Sequence, residues 1–154
     1  MKKIGRLCVI TDTNIQNKYS HFELAKMAVN GGADIIQLRD KTLPTSELIE
    51  VASKISAYYK KHKVLFLVND RVDIAMICDA DGVHLGKEDI PVREARKLLG
   101  NRKIIGGTAH SMKEAIQREK EGADYIGYGH IYATGSKFKP EKPKGTAELS
   151  KIVK

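Results

Sequence analysis

Two carboxylates follow neighbouring predicted strands in the segment 65–91. Asp70 comes soon after the apolar run 64–68, and Asp89 lies in the polar loop after a second predicted strand over residues 81–85. If these strands are parallel, both carboxylates lie at the same edge of the sheet. Carboxylate oxygens are ligands that Mg²⁺ prefers, and protein-bound Mg²⁺ commonly holds a phosphate. The pair therefore predicts a magnesium–phosphate site, although each aspartate could instead cap the helix that follows it.

Cationic and amide side chains follow another predicted strand, over residues 35–38. Gln37, Arg39 and Lys41 alternate along the chain, so an extended backbone would point them in one direction. An inward arginine without a partner would be costly to bury, and a bound anion would compensate its charge. Arginine and lysine both suit phosphate, as a planar fork and a point charge respectively. This edge is therefore predicted to bind a phosphorylated ligand.

Hydrophobic periodicity predicts six β-then-α units in succession, with strands over residues 6–11, 35–38, 64–68, 81–85, 103–107 and 124–128. Short connections between such units imply a parallel sheet covered by right-handed crossover helices. Related segments at 31–34 (GGAD), 79–81 (DAD) and 121–124 (EGAD) each close a helix and open a strand. This repetition favours one repeated unit, as in a (β/α)₈ barrel. The first loop has no Gly-x-Gly-x-x-Gly, which disfavours a dinucleotide-binding sheet.

The length suggests fewer units than a complete barrel has. Eight units usually take about 250 residues, whereas six units use all 154 residues here. We therefore predict an α/β fold of parallel TIM-barrel type, with about six of eight βα units in one incomplete domain over residues 1–154. The first and last strands would be unpaired edges, so we expect a homo-oligomer and an active site that this chain alone does not complete.

Composition narrows the class of partner. A net charge of +8 and a pI near 9.4 favour an anionic ligand. Aromatic residues make up only 6% of the chain and no run of five or more Lys/Arg occurs, so a phosphorylated metabolite explains the charge at least as well as nucleic acid, and we expect no nucleic-acid partner. The sequence lacks an apolar run near 18 residues, so we expect no membrane span. Cys8 and Cys78 lie in apolar runs, which predicts buried thiols in a reducing cytoplasm.

Five short motifs stand along the chain in a specific order. They are Gln37-Leu38-Arg39-Asp40-Lys41, Val68-Asn69-Asp70-Arg71, Asp81-Gly82-Val83-His84-Leu85-Gly86 with Glu88-Asp89, Thr108-Ala109-His110-Ser111 and Thr134-Gly135-Ser136-Lys137. In this order, from about Leu7 to the end, the chain resembles the thiamine phosphate synthases. That family consists of (β/α)₈ barrels that join a pyrimidine-methyl diphosphate to a thiazole phosphate and release pyrophosphate.

The resemblance implies a role for each motif. It assigns the pyrimidine diphosphate to Gln37, Arg39, Lys41, Asn69, Thr108 and Lys137. It assigns Mg²⁺ to Asp70 and Asp89, and the thiazole phosphate to Thr134, Gly135 and Ser136. The family usually has serine where Thr108 stands, a change that keeps the hydroxyl. The Lys-rich segment 137–144 is either a charged surface loop or a lid that gathers anions.

One departure points to a sister branch of the family. His130 follows Gly129 where the synthases commonly have proline, and in this respect the chain resembles the thiazole tautomerases. In that interpretation His110 could act as an acid or base. Those proteins typically lack the magnesium pair that Asp70 and Asp89 form, so we favour the synthase. A non-catalytic relative without the last loops is a third alternative.

Overall fold

The computed structural model describes residues 4–135 and 142–153. Strands and helices alternate throughout, as β1 (Cys8–Thr11), α1 (His21–Asn30), β2 (Ile35–Leu38), α2 (Thr45–Tyr59), β3 (Leu65–Asn69), α3 (Val72–Ile77), β4 (Gly82–Leu85), α4 (Val92–Leu99), β5 (Ile104–Ala109), α5 (Met112–Lys120), β6 (Tyr125–Tyr128) and α6 (Gly145–Ile152). Within these ranges, no helix is both long enough and apolar enough to cross a membrane.

The strands pair in parallel within each of two compact units. The first unit comprises residues up to 84 together with 99–104, and the second comprises residues 85–98 and those from 105 onward. In the first unit β1 pairs with β2, β2 with β3, and β3 with β4. In the second unit β5 pairs with β6. The predicted fold class, an α/β fold of parallel TIM-barrel type with six βα units, is confirmed. The assignment of one domain to residues 1–154 stays a prediction.

The repeated aspartate at the helix-to-strand junctions has a structural role. Asp34 accepts hydrogen bonds from the backbone N–H groups of Arg6 and Leu7, at 2.8 and 2.9 Å. Asp81 accepts one from Phe66 at 2.9 Å, and Asp124 accepts one from Ile105 at 2.7 Å. Each carboxylate therefore satisfies a backbone donor at the amino end of the preceding strand. At Phe66 and Ile105 the bond is partly buried, where an unpaired backbone donor would be costly.

The core of the first unit lies between α2 and the central strands. All four residues of β2 are buried, and α2 buries the side chains of Leu48, Ala52, Ile55, Ser56 and Tyr59. The ring of Tyr59 lies 5.8 Å from the ring of Phe66 in β3, measured between centroids. A strand covered on both faces needs a continuous apolar run, which is why β2 and β3 could be recognised from the sequence.

Polar groups fix the helices of the second unit. The Arg96 guanidinium of α4 donates to the Gly122 carbonyl and to the Asp124 carboxylate, both at 2.7 Å. Ser111 caps α5, because its hydroxyl accepts a hydrogen bond from the backbone N–H of Glu114 at 3.2 Å. The same Asp124 therefore binds both the start of β5 and the helix before it.

The first strand is more exposed than the sequence predicted. Cys8 is exposed, not buried, and Ile10 is 53% exposed. Cys78, in contrast, is buried as predicted. Within the described part of the first unit, β1 pairs with a strand on one side only, so its apolar residues lack the cover that β2 receives from both neighbours. Apolar composition alone does not report how many partners a strand has.

The Tyr59 hydroxyl provides a test of this core. It is buried, and no hydrogen-bond partner for it lies among the described residues. Removing a buried hydroxyl that lacks a partner should cost little. We expect Tyr59→Phe to leave the free energy of unfolding unchanged or to raise it by about 1 kcal/mol, measured by urea denaturation. A clear decrease in the free energy of unfolding would show that the hydroxyl has a hydrogen-bond partner in solution.

Candidate functional site

Arg39 lies directly after β2 and contacts an acid from the preceding loop. Its guanidinium donates to the carboxylate of Asp12, which follows β1 and is almost completely buried. The second Asp12 oxygen accepts the backbone N–H of Asn14 at 3.0 Å. The sequence interpretation assumed that Arg39 had no protein partner, and this was wrong. A bound anion is therefore not required to compensate its charge, although the guanidinium retains other donors.

Lys41 and Asp70 form an ion pair between neighbouring βα loops. The lysine Nζ lies 2.8 Å from Asp70 Oδ2, and the two side chains are 58% and 18% exposed. The register of β2 on β3 aligns Leu38 with Val68, so the residues after both strands leave the sheet side by side. The structure thus brings together one predicted diphosphate residue and one predicted metal ligand.

The alternation predicted for Gln37, Arg39 and Lys41 does not extend along the whole motif. Strand β2 ends at Leu38, so only Gln37 has the strand geometry on which the prediction relied. Gln37 is buried, the Arg39 side chain is 21% exposed and the Lys41 side chain is 58% exposed. The three side chains therefore span a gradient from the interior to the surface, and the loop after β2 sets the position of the last one.

Asp70 occupies an uncommon backbone conformation. Its φ is +62°, in the left-handed region where glycine is favoured and aspartate is tolerated. Its backbone N–H donates to the His84 carbonyl at 2.8 Å. Arg71, not Asp70, occupies the N-cap position of α3, and this cap has no side-chain hydrogen bond. Asp70 is therefore not the N-cap residue of α3, contrary to the helix-cap interpretation.

Asp89 is held by the backbone of its own loop. Its Oδ2 accepts the N–H of Gly86 at 2.6 Å, between β4 and α4. A Cβ atom added at Gly86 would lie 2.8 Å from the same oxygen. Glycine at position 86 thus permits the close approach, and any larger residue must displace the carboxylate.

Thr108 and His110 lie at the end of β5, in the second unit. Thr108 is within the strand and its carbonyl accepts from Arg118 Nε at 3.4 Å. His110 Nδ1 lies 2.6 Å from the Gly129 carbonyl, which can only accept, so Nδ1 carries the proton. The backbone N–H of His110 donates to the Glu114 carboxylate at 2.7 Å. Ser111, the next residue, is the N-cap of α5.

The remaining predicted residues are described only in part. Asn69 is the last residue of β3, and its carbonyl accepts the N–H of Arg71 at 2.7 Å. Thr134 and Gly135 follow β6 and are exposed. Ser136 and Lys137 lie outside the described residues, as does part of the segment 137–144. Their assignment to the thiazole phosphate and the diphosphate stays a prediction.

Comparison with known proteins gives consistent results. A family model described as Thiamine monophosphate synthase matches residues 7–154. Thiamine-phosphate synthase from Chlorobium phaeobacteroides is 50% identical over 147 residues, which cover 96% of this chain and 70% of the relative. The corresponding protein from Clostridium novyi is 43% identical over 148 residues, which cover 96% of this chain and 72% of the relative.

A solved structure agrees with the sequence relatives. Thiamine phosphate pyrophosphorylase from Pyrococcus furiosus superposes with a TM-score of 0.85 at 38% identity, over 96% of this chain and 69% of that chain. The chain spans 70% of the length of the Chlorobium phaeobacteroides relative and 66% of that of a relative from Chlorobium phaeovibrioides. On these matches, and on the motifs that the structure places at its strand ends, the chain belongs to the thiamine monophosphate synthase family.

Proposed function

We propose that this chain acts in thiamine biosynthesis as a thiamine-phosphate synthase, a transferase that condenses hydroxymethylpyrimidine diphosphate with a thiazole phosphate and releases pyrophosphate. The observation that carries the proposal is the position of Arg39, Lys41 and Asp70 after β2 and β3, with Lys41 paired to Asp70, in a chain 50% identical to a protein of that name. Its partners are small phosphorylated substrates. A cytoplasmic location and a homo-oligomeric state stay predictions.

The proposed reaction needs positive charge where pyrophosphate departs. Charge that develops on a leaving group is stabilised best by donors that are already in place. Arg39 is held by Asp12, so its orientation is fixed before the substrate binds. Lys41 is largely exposed, so it can turn toward a phosphate at little cost in desolvation. We assign to both cations the binding and orientation of the diphosphate, together with Gln37, Asn69, Thr108 and Lys137.

The carboxylates of Asp70 and Asp89 are the type of ligand that a magnesium ion prefers. Asp70 and Asp89 present hard oxygen ligands, and Mg²⁺ usually takes one or two carboxylates together with substrate phosphates. Within the described residues, no group of three or more His, Cys, Asp and Glu side chains is placed to hold a metal. We propose that Asp70 and Asp89 hold Mg²⁺, which when bound would neutralise charge on the diphosphate.

The ion pair between Lys41 and Asp70 gives this proposal a physical consequence. In the structure each group neutralises the other. A metal ion on Asp70 would compete with the lysine, whose ammonium would then be available to a phosphate oxygen. The diphosphate and the metal should therefore bind cooperatively, each strengthening the other, because neither has to displace the pair alone.

The tautomerase alternative is supported by one contact of His110. Its Nδ1–H donates to the Gly129 carbonyl, so a neutral ring carries its lone pair on Nε2, as a base needs. The relatives named above are synthases, and the retained pair Asp70 and Asp89 also favours that reaction. His110→Gln separates the two: it should abolish tautomerase turnover, whereas the synthase reaction requires no acid or base from this ring.

The proposed activity is tested by incubating the protein with hydroxymethylpyrimidine diphosphate, the thiazole phosphate and Mg²⁺, and by following thiamine phosphate and pyrophosphate by mass spectrometry. We expect both products in equal amounts. Arg39→Met is the matched negative control, because it removes the cation and keeps most of the side-chain length. Equal turnover by the control, or the absence of both products, would contradict the proposal.

Asp70→Gly separates function from stability at the metal site. Glycine tolerates the observed φ of +62°, and the lysine end of the lost ion pair is exposed although Asp70 is only 18% exposed, so the free energy of unfolding should fall by about 1 kcal/mol, the upper end for an exposed pair. The Mg²⁺-dependent binding of pyrophosphate, measured by calorimetry, should be lost. Asp73→Asn is the control, since Asp73 pairs with Arg71 on the surface of the same segment. Retained binding in Asp70→Gly would refute the assignment of Asp70.

Gly86→Ala tests whether the position of Asp89 matters. The added methyl would lie 2.8 Å from the Asp89 carboxylate and push it from the Gly86 N–H. We expect weaker Mg²⁺ binding, measured by calorimetry in the presence of pyrophosphate, with little change in thermal stability. Gly32→Ala is the control for a loss of stability, because it strains a backbone with φ of +86° just before β2, where an added Cβ meets no described atom within 4 Å. Unchanged affinity in Gly86→Ala would show that Asp89 does not contribute in this position.

A further inference from the structure

A buried polar network joins the ends of β1 and β2. The carboxylate of Asp40 has no exposed surface, and the His21 ring beside it is almost completely buried. His21 Nε2 lies 3.0 Å from Asp40 Oδ2, and its Nδ1 lies 2.9 Å from the hydroxyl of Thr11. The hydroxyl of Thr13 donates to the same Asp40 oxygen at 2.9 Å. Since a carboxylate only accepts, His21 Nε2 carries the proton in this contact.

The second oxygen of Asp40 holds the loop that contains Lys41. It accepts the backbone N–H of Thr42 at 2.7 Å, the Thr42 hydroxyl at 2.9 Å and the backbone N–H of Leu43 at 2.8 Å. One oxygen therefore binds the β1–α1 loop and the other binds the β2–α2 loop. Lys41 lies between the residue that accepts these bonds and the residues that donate them.

The network keeps Asp40 charged in spite of its burial. Burial alone would raise the pKa of the Asp40 carboxyl, but donation from His21, Leu43 and Thr42 outweighs it and lowers the pKa well below its ordinary value. A buried anion with this many donors is firmly placed, because moving it would break several charge-assisted hydrogen bonds at once. Both its side chain and the backbone around it are thus fixed.

The consecutive residues Arg39, Asp40 and Lys41 differ in how firmly the protein restrains them. Arg39 is bound by Asp12, and Asp40 is bound by His21 and Thr13, so the β1–α1 loop restrains both. Lys41 differs, because its side chain is 58% exposed, and an ion pair with an exposed cation restrains that side chain weakly. The hydrogen bonds of Asp40 set the position of the Lys41 backbone. They therefore also set which positions the Lys41 ammonium can occupy.

We propose that His21 and Asp40 are positioning residues for diphosphate binding: through the hydrogen bonds of Asp40 to the 42–43 backbone, they hold Lys41 where it meets a phosphate. Neither residue touches the ligand. This inference rests on the proposed function only for the identity of the ligand, since the restraint on the loop is a property of the protein alone. In metal sites, loss of an outer-shell partner typically costs about 10- to 100-fold in affinity or activity, and we expect an effect of the same order here.

The test uses inorganic pyrophosphate with Mg²⁺ as the probe and three variants of the network. His21→Leu removes the donor to Asp40 while filling a similar volume. His21→Gln keeps a donor, because the glutamine amide nitrogen can take the place of Nε2. Asp40→Asn removes the charge and one acceptor. Asp34→Asn is the matched control, since Asp34 also accepts backbone N–H groups but lies at the other end of β2.

Two readouts are needed, affinity by calorimetry and amide hydrogen exchange of Thr42 and Leu43 without ligand. In His21→Leu and Asp40→Asn we expect about 10-fold or greater loss of pyrophosphate affinity and faster exchange of both amides. His21→Gln should recover most of the affinity. Asp34→Asn should keep the affinity of the unchanged protein even where its unfolding temperature falls. If His21→Leu does not fold, Thr13→Val removes a different donor to Asp40 and should weaken affinity in the same direction.

The outcomes separate this inference from the proposed function. If the unchanged protein does not bind pyrophosphate, the proposed function is contradicted, while the exchange of Thr42 and Leu43 still decides the positioning role. Unaltered exchange in both His21→Leu and Asp40→Asn would overturn the inference. Affinity that falls equally in Asp34→Asn and His21→Leu would also overturn it, because the effect would then reflect general stability.

Discussion

Parallel pairing of β2 with β3 is the constraint on which the candidate site of the first unit depends. The register places Leu38 beside Val68, so Arg39 and Asn69 leave their strands as neighbours. From there the chain brings Lys41 within 2.8 Å of Asp70. A slip of one residue would turn each side chain of β2 to the opposite face and break this relation. Such a slip would also change how the buried side chains of β2 and β3 pack, so the packing of the core and the geometry of the site are linked.

The two ends of the strands use carboxylates in different ways. At the amino ends Asp34, Asp81 and Asp124 accept backbone N–H groups and stabilise the fold. At the carboxyl ends Asp12 and Asp70 contact cationic side chains. Asp40 combines both roles, because one of its oxygens accepts backbone groups and the other faces a histidine. The number of acids near a strand end therefore does not indicate function; their contacts do.

The cations of the candidate site are compensated before any ligand arrives. Although the chain has a net charge of +8, Arg39 and Lys41 each contact a carboxylate. An incoming diphosphate must compete with Asp70 for Lys41 and share Arg39 with Asp12. Its affinity is therefore lower than the full attraction of two bare cations. Moderate affinity suits an enzyme of the proposed type, since pyrophosphate is a product that has to leave.

Sequence periodicity determined the succession of elements in this protein, and its motifs determined the family. The predicted strand 35–38 coincides with β2, and most other boundaries differ by one or two residues, because buried parallel strands and amphipathic helices leave strong local patterns. The short motifs also placed Gln37, Arg39, Lys41, Asn69 and Asp70 at strand ends. These are properties that a residue and its immediate neighbours in the chain can specify.

Tertiary structure alone decided which charged groups meet. Asp12 and Arg39 are 27 residues apart, and His21 and Asp40 are 19 apart, so no local pattern marks either pair. Nor could composition distinguish β2, which pairs with strands on both sides, from β1, which pairs on one side only within the described residues of the first unit. The left-handed conformation of Asp70 likewise arises where the chain leaves β3 for α3. Each of these features depends on contacts between distant segments, and those contacts exist only once the parallel strands have paired.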